Sequence, residues 1–262
     1  MTKLFKSCGV LAALIILTAC QTNNVNFSSA KDKSNFGNLT GILAKPAGKG
    51  PFPAVVLLHT CGGIKPHIST DWPNYLTSLG YVVLAIDTMG IRGYSICSEM
   101  GGGTVGAVMQ AQDAYGGIDY LASLPYVDGD RVAVMGFSMG AMAINNYMVE
   151  AASTSNRRHE FKAAIAAYGN CNNIAYATKG AIGIPLMELI AELDDHHAPS
   201  CIEAGKNKLA EVHVFKGVYH AYDQDHRGGN YDPGGSFMKY SASAHAKSEE
   251  LTKIFLAKHL GK

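Results

Sequence analysis

Ser138 has the clearest chemical potential in this chain. It stands in Gly136-Phe137-Ser138-Met139-Gly140, where an apolar run ends abruptly within RVAVMGFSMGAM, residues 131–142. A strand that turns straight into a helix lifts its central hydroxyl above the sheet, and only small residues fit two places either side. The same turn leaves the backbone N–H of Met139 facing that space, where it can stabilise an oxyanion. A serine hydroxyl needs a base, and the base needs a carboxylate to orient it. Both follow, in the order serine, acid, histidine. Asp194 and Asp195 lie in AELDDHHAPSC, after the run PLMELI, and His220 lies in KGVYHAYD, five residues beyond Phe215. A second oxyanion donor is expected from the loop after PAVVLLH, which reads His59-Thr60-Cys61-Gly62-Gly63. Its glycines let backbone approach a substrate closely; the N–H of Cys61 is favoured, with Thr60 as the alternative. Such a set attacks a carbonyl and passes through a covalent intermediate.

The same region admits other readings. Asp194, Asp195, His196 and His197 form one group, and His220, Asp223, Asp225 and His226 another, all of types that ligate zinc. Their spacing matches no zinc motif, so no metal is assigned. A non-catalytic ligand-binding protein is the remaining alternative.

Positioning these residues requires a sheet. Apolar, β-rich runs occur at residues 54–58, 81–86, 132–135, 163–167, 186–190 and 212–215. Between them Val105, Val108, Ala111, Tyr115, Ile118 and Ala122 recur at helical spacing, and Leu251, Ile254 and Phe255 give the last helix an apolar face. Strands apolar on both faces, alternating with helices, predict an open, mostly parallel sheet covered on both sides. In such sheets the site lies beyond the carboxyl ends of the strands, where each candidate residue falls.

The first residues, MTKLFKSCGVLAALIILTAC, read as a secretory leader over 1–19, since the apolar run is too short for a permanent span. Leu17-Thr18-Ala19-Cys20 resembles the bacterial lipobox, so Cys20 is expected to carry lipid and anchor an exported lipoprotein in a membrane. Gln21 after it, in place of aspartate, resembles outer-membrane lipoproteins facing the periplasm. The polar stretch to residue 36 is expected to be a tether, leaving residues 37–262 as one domain. Charge is nearly balanced, 22 basic against 21 acidic residues, and no basic stripe suggests nucleic acid. Of six cysteines, Cys8 leaves with the leader and Cys20 takes lipid; Cys61, Cys97, Cys171 and Cys201 remain. An even number in an oxidising compartment suggests two disulfides, with three pairings open.

FPAVVLLHTCGG, GYVVLAIDTMGIRG, RVAVMGFSMG, the Asp-Asp segment and YHAYD together resemble the dienelactone hydrolase family of α/β-hydrolases, from about Lys45 to the C-terminal helix. The resemblance implies the α/β-hydrolase fold, no metal or organic cofactor, and hydrolysis of an ester or lactone through an acyl-enzyme. It assigns Ser138 as nucleophile and His220 as base. Asp194 is preferred to Asp195 as the acid because it lies three residues after Ala191, which holds the place of the family's usual glycine. The family's cysteine nucleophile is Ser138 here, its glutamate beside the oxyanion loop is Thr60, and the basic residue expected after the histidine is missing from Ala221-Tyr222-Asp223-Gln224. A serine carboxylesterase is therefore expected in place of a true dienelactone hydrolase. Arg92 is either a carboxylate-binding group or half of a structural salt bridge. No lid insertion is evident between Tyr168 and Pro185, which points to small soluble substrates. The family's strand order sets the strands ending at His59 and Ile86 side by side, and likewise those ending near Ala167 and Ile190. That order implies Cys61 with Cys97 and Cys171 with Cys201.

Overall fold

The computed structural model describes residues 21–28, 38–148, 151, 158–172, 183–194, 196–225, 228–231 and 235–261. Cys20 and the leader lie outside these residues, as do Asp195, His226 and much of the stretch between Tyr168 and Pro185. In chain order the strands and helices are β1 (Gln21–Phe27), β2 (Leu39–Lys45), β3 (Phe52–Leu58), α1 (Trp72–Ser78), β4 (Val82–Asp87), α2 (Gly103–Ser123) and β5 (Val127–Phe137). There follow α3 (Met139–Met142), β6 (Ala163–Ala167), β7 (Leu186–Ala191), α4 (Ala198–Lys206), β8 (Glu211–Phe215), β9 (Gly228–Tyr231), β10 (Phe237–Lys239) and α5 (Ala242–Leu260).

Eight strands form one sheet in the order β1-β2-β4-β3-β5-β6-β7-β8. From β4 to β8 in this order each strand runs parallel to the next, while β2 pairs antiparallel with both β1 and β4. Val56, Val134 and Ile190 look into one core, beneath α2, α3 and α4; Val55, Met135 and Leu189 look into the other, beneath α1 and α5. This is the doubly covered parallel sheet that apolar runs without alternation require. All six runs read from the sequence fall within strands of this sheet, apart from the first residue of the second run.

Three local expectations are corrected. Gln21–Phe27 is no tether: it forms an edge strand, paired residue for residue with β2. Val25 and Phe27, two residues apart, turn inward, and Phe27 stacks on Tyr120 at 5.3 Å. Two apolar side chains and a full ladder suffice to order a segment whose composition is otherwise polar. On α2 the buried stripe is Ala107, Ala111, Ala114, Tyr115, Ile118 and Leu121, while Val105 is exposed. On α5 the buried positions include Ala244, Phe255, Leu256 and Leu260, and Ile254 faces out. In both helices the buried face combines small and large residues, alanines beside Tyr115, Ile118 and Leu121 on α2 and beside Phe255, Leu256 and Leu260 on α5.

One residue breaks the apolar rule. Glu188, in β7, is fully buried, and a carboxylate oxygen of it lies within 4.8 Å of Cys171 and Cys201 sulfur. Burial pushes its carboxyl well above the usual range, against a weaker opposing influence from Asn145.

Candidate active site

Strand β5 ends at Phe137 and α3 begins at Met139, so Ser138 must reverse the chain alone. It does so with φ 52° and ψ −109°, a left-handed φ that a side chain rarely adopts. The surroundings hold it there. The Ser138 N–H donates to the Ala167 carbonyl at 2.9 Å, and the Met142 N–H donates to the Ser138 carbonyl at 2.9 Å. A Cβ on Gly136 would run into the Gly140 carbonyl, and one on Gly140 into the Leu58 carbonyl. The two glycines thus allow the turn to close against itself and against β3.

His220 arrives from the loop after β8 and Asp194 from the loop after β7. His220 Nε2 lies 3.0 Å from Ser138 Oγ, and His220 Nδ1 lies 2.6 Å from Asp194 Oδ2. All three residues are buried. Burial alone would raise the Asp194 carboxyl, but hydrogen bonds from His197 and His220 outweigh it and hold the group well below the usual carboxylate range. An ionised carboxylate can only accept, so Nδ1 of His220 carries the proton. Nε2 is left to accept from the serine hydroxyl. A bridge between His220 and Met238 of β10, with the Lys239 N–H donating to the His220 carbonyl at 3.2 Å, fixes the histidine loop from behind.

Several groups that frame this line are not evident from spacing. His197 Nδ1 donates to Asp194 Oδ1 at 2.9 Å, so the aspartate serves two histidines. Tyr168, directly after β6, sets its ring edge-on to His220 at 4.8 Å between centroids. Its hydroxyl donates to Asp223 at 2.7 Å, and Trp72 Nε1 donates to the other Asp223 oxygen at 2.8 Å. Asp223 is therefore engaged beneath the site. His59, at the end of β3, accepts the Thr88 N–H at Nε2 (3.2 Å) and donates from Nδ1 to the Thr60 carbonyl (2.7 Å). Burial lowers its pKa, which keeps the ring neutral and bracing the loop.

That loop carries Thr60 and Cys61. The Gly63 N–H donates to the Thr60 carbonyl at 3.0 Å, and the Cys97 N–H to the Cys61 carbonyl at 3.0 Å. Disulfides join Cys61 to Cys97 and Cys171 to Cys201, with Cα atoms 4.9 and 4.8 Å apart, the pairs implied by the strand order. Arg92 is the salt-bridge partner of Asp113: its two terminal nitrogens lie 2.8 and 2.9 Å from the two carboxylate oxygens, with both side chains buried. It also donates to the Thr88 carbonyl, so the carboxylate-binding expectation for Arg92 is not met. Of the residues considered as metal ligands, Asp194, His197 and His220 come together.

A parallel sheet with a serine elbow, and with the acid and histidine at successive strand ends, defines an α/β hydrolase. The chain belongs to the dienelactone hydrolase family, whose sequence model matches residues 39–260. A dienelactone hydrolase-like promiscuous phosphotriesterase from metagenomic libraries superposes with a TM-score of 0.69 at 19% identity, covering 93% of this chain and 100% of that one. The dienelactone hydrolase of Anabaena variabilis does so with 0.65 at 15% identity, over 92% of this chain and 99% of that one. In sequence, the chain is 36% identical over 107 residues to Esterase FrsA of Klebsiella pneumoniae, a match spanning 39% of this chain and 23% of that esterase's length.

Proposed function

We propose that this protein is a serine hydrolase that cleaves carboxylic esters or lactones of small soluble substrates through an acyl-enzyme. The observation that carries the reading is the buried hydrogen-bonded line from Ser138 through His220 to Asp194. His220 takes the serine proton as Oγ attacks the carbonyl, and Asp194 holds the imidazole and stabilises its charged form. The N–H groups of Cys61 and Met139 receive the oxyanion. The protonated His220 then gives its proton to the leaving alcohol. Water repeats the attack on the acyl-enzyme, with His220 again as base. Arg92, already spent on Asp113, offers no cation to a substrate carboxylate, which favours neutral esters over dienelactone.

The test is hydrolysis of p-nitrophenyl acetate by the domain, with Ser138→Ala alongside. Loss of the hydroxyl is expected to lower turnover about a million-fold, to the level left by binding and polarisation alone. A fluorophosphonate probe is expected to label Ser138. An active alanine variant, or a label elsewhere, would refute the assignment.

A further inference from the structure

The proposed reaction asks one histidine of Asp194, yet the structure supplies two. We propose that Asp194, His197 and His220 form an inhibitory site for a zinc-type divalent ion.

Local structure brings the donors together. The His197 and Ala198 N–H groups both donate to the Asp194 carbonyl, at 3.2 and 2.9 Å, so Asp194 and His197 share the turn that opens α4. His220 comes alongside, its ring 5.3 Å from that of His197 and tilted by 30°. Each imidazole presents Nδ1 to a different oxygen of one carboxylate, at 2.9 and 2.6 Å. One donor atom from each residue lies within 4.8 Å of the others. A tetrahedral zinc ion with bonds of about 2.0 Å holds its ligands roughly 3.3 Å apart, so the nitrogen–oxygen separations of 2.9 and 2.6 Å need only widen slightly to admit it. Two imidazoles and a carboxylate suit zinc, copper or nickel better than magnesium or calcium. The side chain of His197 is 15% exposed, against 1% for Asp194 and 2% for His220, so the ion approaches past His197.

The inhibition follows from the tautomer and rests on the hydrolase reading above. An ion on Nδ1 of His220 displaces that proton, which the ring takes up at Nε2. No proton is lost overall from the neutral imidazole. Nε2 then faces Ser138 as a donor and can no longer accept the serine proton. His197 undergoes the same exchange without any consequence for the serine.

The experiment uses the Ser138→Ala protein, which keeps all three donors and has no nucleophile. After chelator washing it is titrated with zinc by calorimetry and with cobalt(II) by visible absorption. One ion per chain is expected. Adding His197→Gln is expected to abolish that binding, and His197→Ala likewise, while His196→Gln in the same background leaves it intact; circular dichroism checks each fold. In the wild type, zinc is expected to stop p-nitrophenyl acetate hydrolysis and chelator to restore it. His197→Gln, measured against its own chelated rate, is expected to keep its activity at the zinc concentration that stops the wild type. Absent binding, or binding indifferent to both His197 substitutions, overturns the site. If Ser138→Ala binds zinc through His197 but the wild type hydrolyses no ester, the hydrolase reading fails and the ion site stands. The converse result removes the ion site alone.

Discussion

Replacing Glu188 with glutamine removes a titratable group from the centre of β7 while nearly preserving its shape. In the folded protein, burial holds the carboxyl protonated well above its ordinary value of 4.5. In the unfolded chain the same group ionises near that value. Below it both states hold the proton and Glu188 costs nothing through ionisation. Above it the unfolded chain releases a proton that the native protein keeps, so stability falls as pH rises, until the folded-state value is reached. The slope is about 1.4 kcal/mol for each pH unit. For a domain of this size that corresponds to roughly 3–6 °C in melting temperature per unit. Glutamine has no such dependence, and any packing cost of its amide is a constant offset. Denaturant melts of both proteins across a pH series are therefore expected to diverge above pH 4.5, with the wild type losing ground. All other titrations cancel in the difference, provided they are distant from β7. Parallel stability curves would show that Glu188 ionises in the native state and would refute the argument.

Two further outcomes are expected. Removing the Cys61–Cys97 bridge by a double serine substitution frees a loop with a separation of 36 residues, and removing Cys171–Cys201 frees one of 30. Loop entropy sets each loss at roughly 3.5–4 kcal/mol, read as a fall in denaturant midpoint; a change below about 1 kcal/mol would contradict the constraint. We also propose the lipoprotein reading for Cys20: metabolic labelling with palmitate is expected to mark the full chain and to disappear with Cys20→Ser, and equal labelling of both would refute it.

The sequence made the elbow legible because Gly136, Ser138 and Gly140 answer a steric demand local to five residues. His220 and Asp194 were legible through order, since each follows the next strand. The disulfides needed the family's strand order, because spacing leaves the pairings open. What escaped depends on contacts distant in sequence. Arg92 meets Asp113 across 21 residues, and Asp223 meets Trp72 across 151, so neither partner announces itself. The second partner of Asp194 is nearer, only three residues away. It was hidden because His196 and His197 are equivalent in sequence, and the turn into α4 decides which one faces the carboxylate. Edge strand β1 escaped because its polar composition outweighs an inward alternation of two residues.

That edge strand also bears on how the lipid anchor proposed for Cys20 would orient the domain. As a tether, residues 21–36 would give an extended reach of about 55 Å, and the domain could turn freely at its end. With Gln21 already paired to Lys45, the slack is gone at the first described residue. Strand β1 runs antiparallel to β2, and β2 antiparallel to β4, so β1 points the same way as the parallel strands. Gln21 consequently lies at the pole where those strands begin, and Ser138 at the pole where they end. A lipid on Cys20, as proposed above, would seat the domain on the bilayer by the pole where the parallel strands begin, with Ser138 at the opposite pole, turned from the lipids beneath.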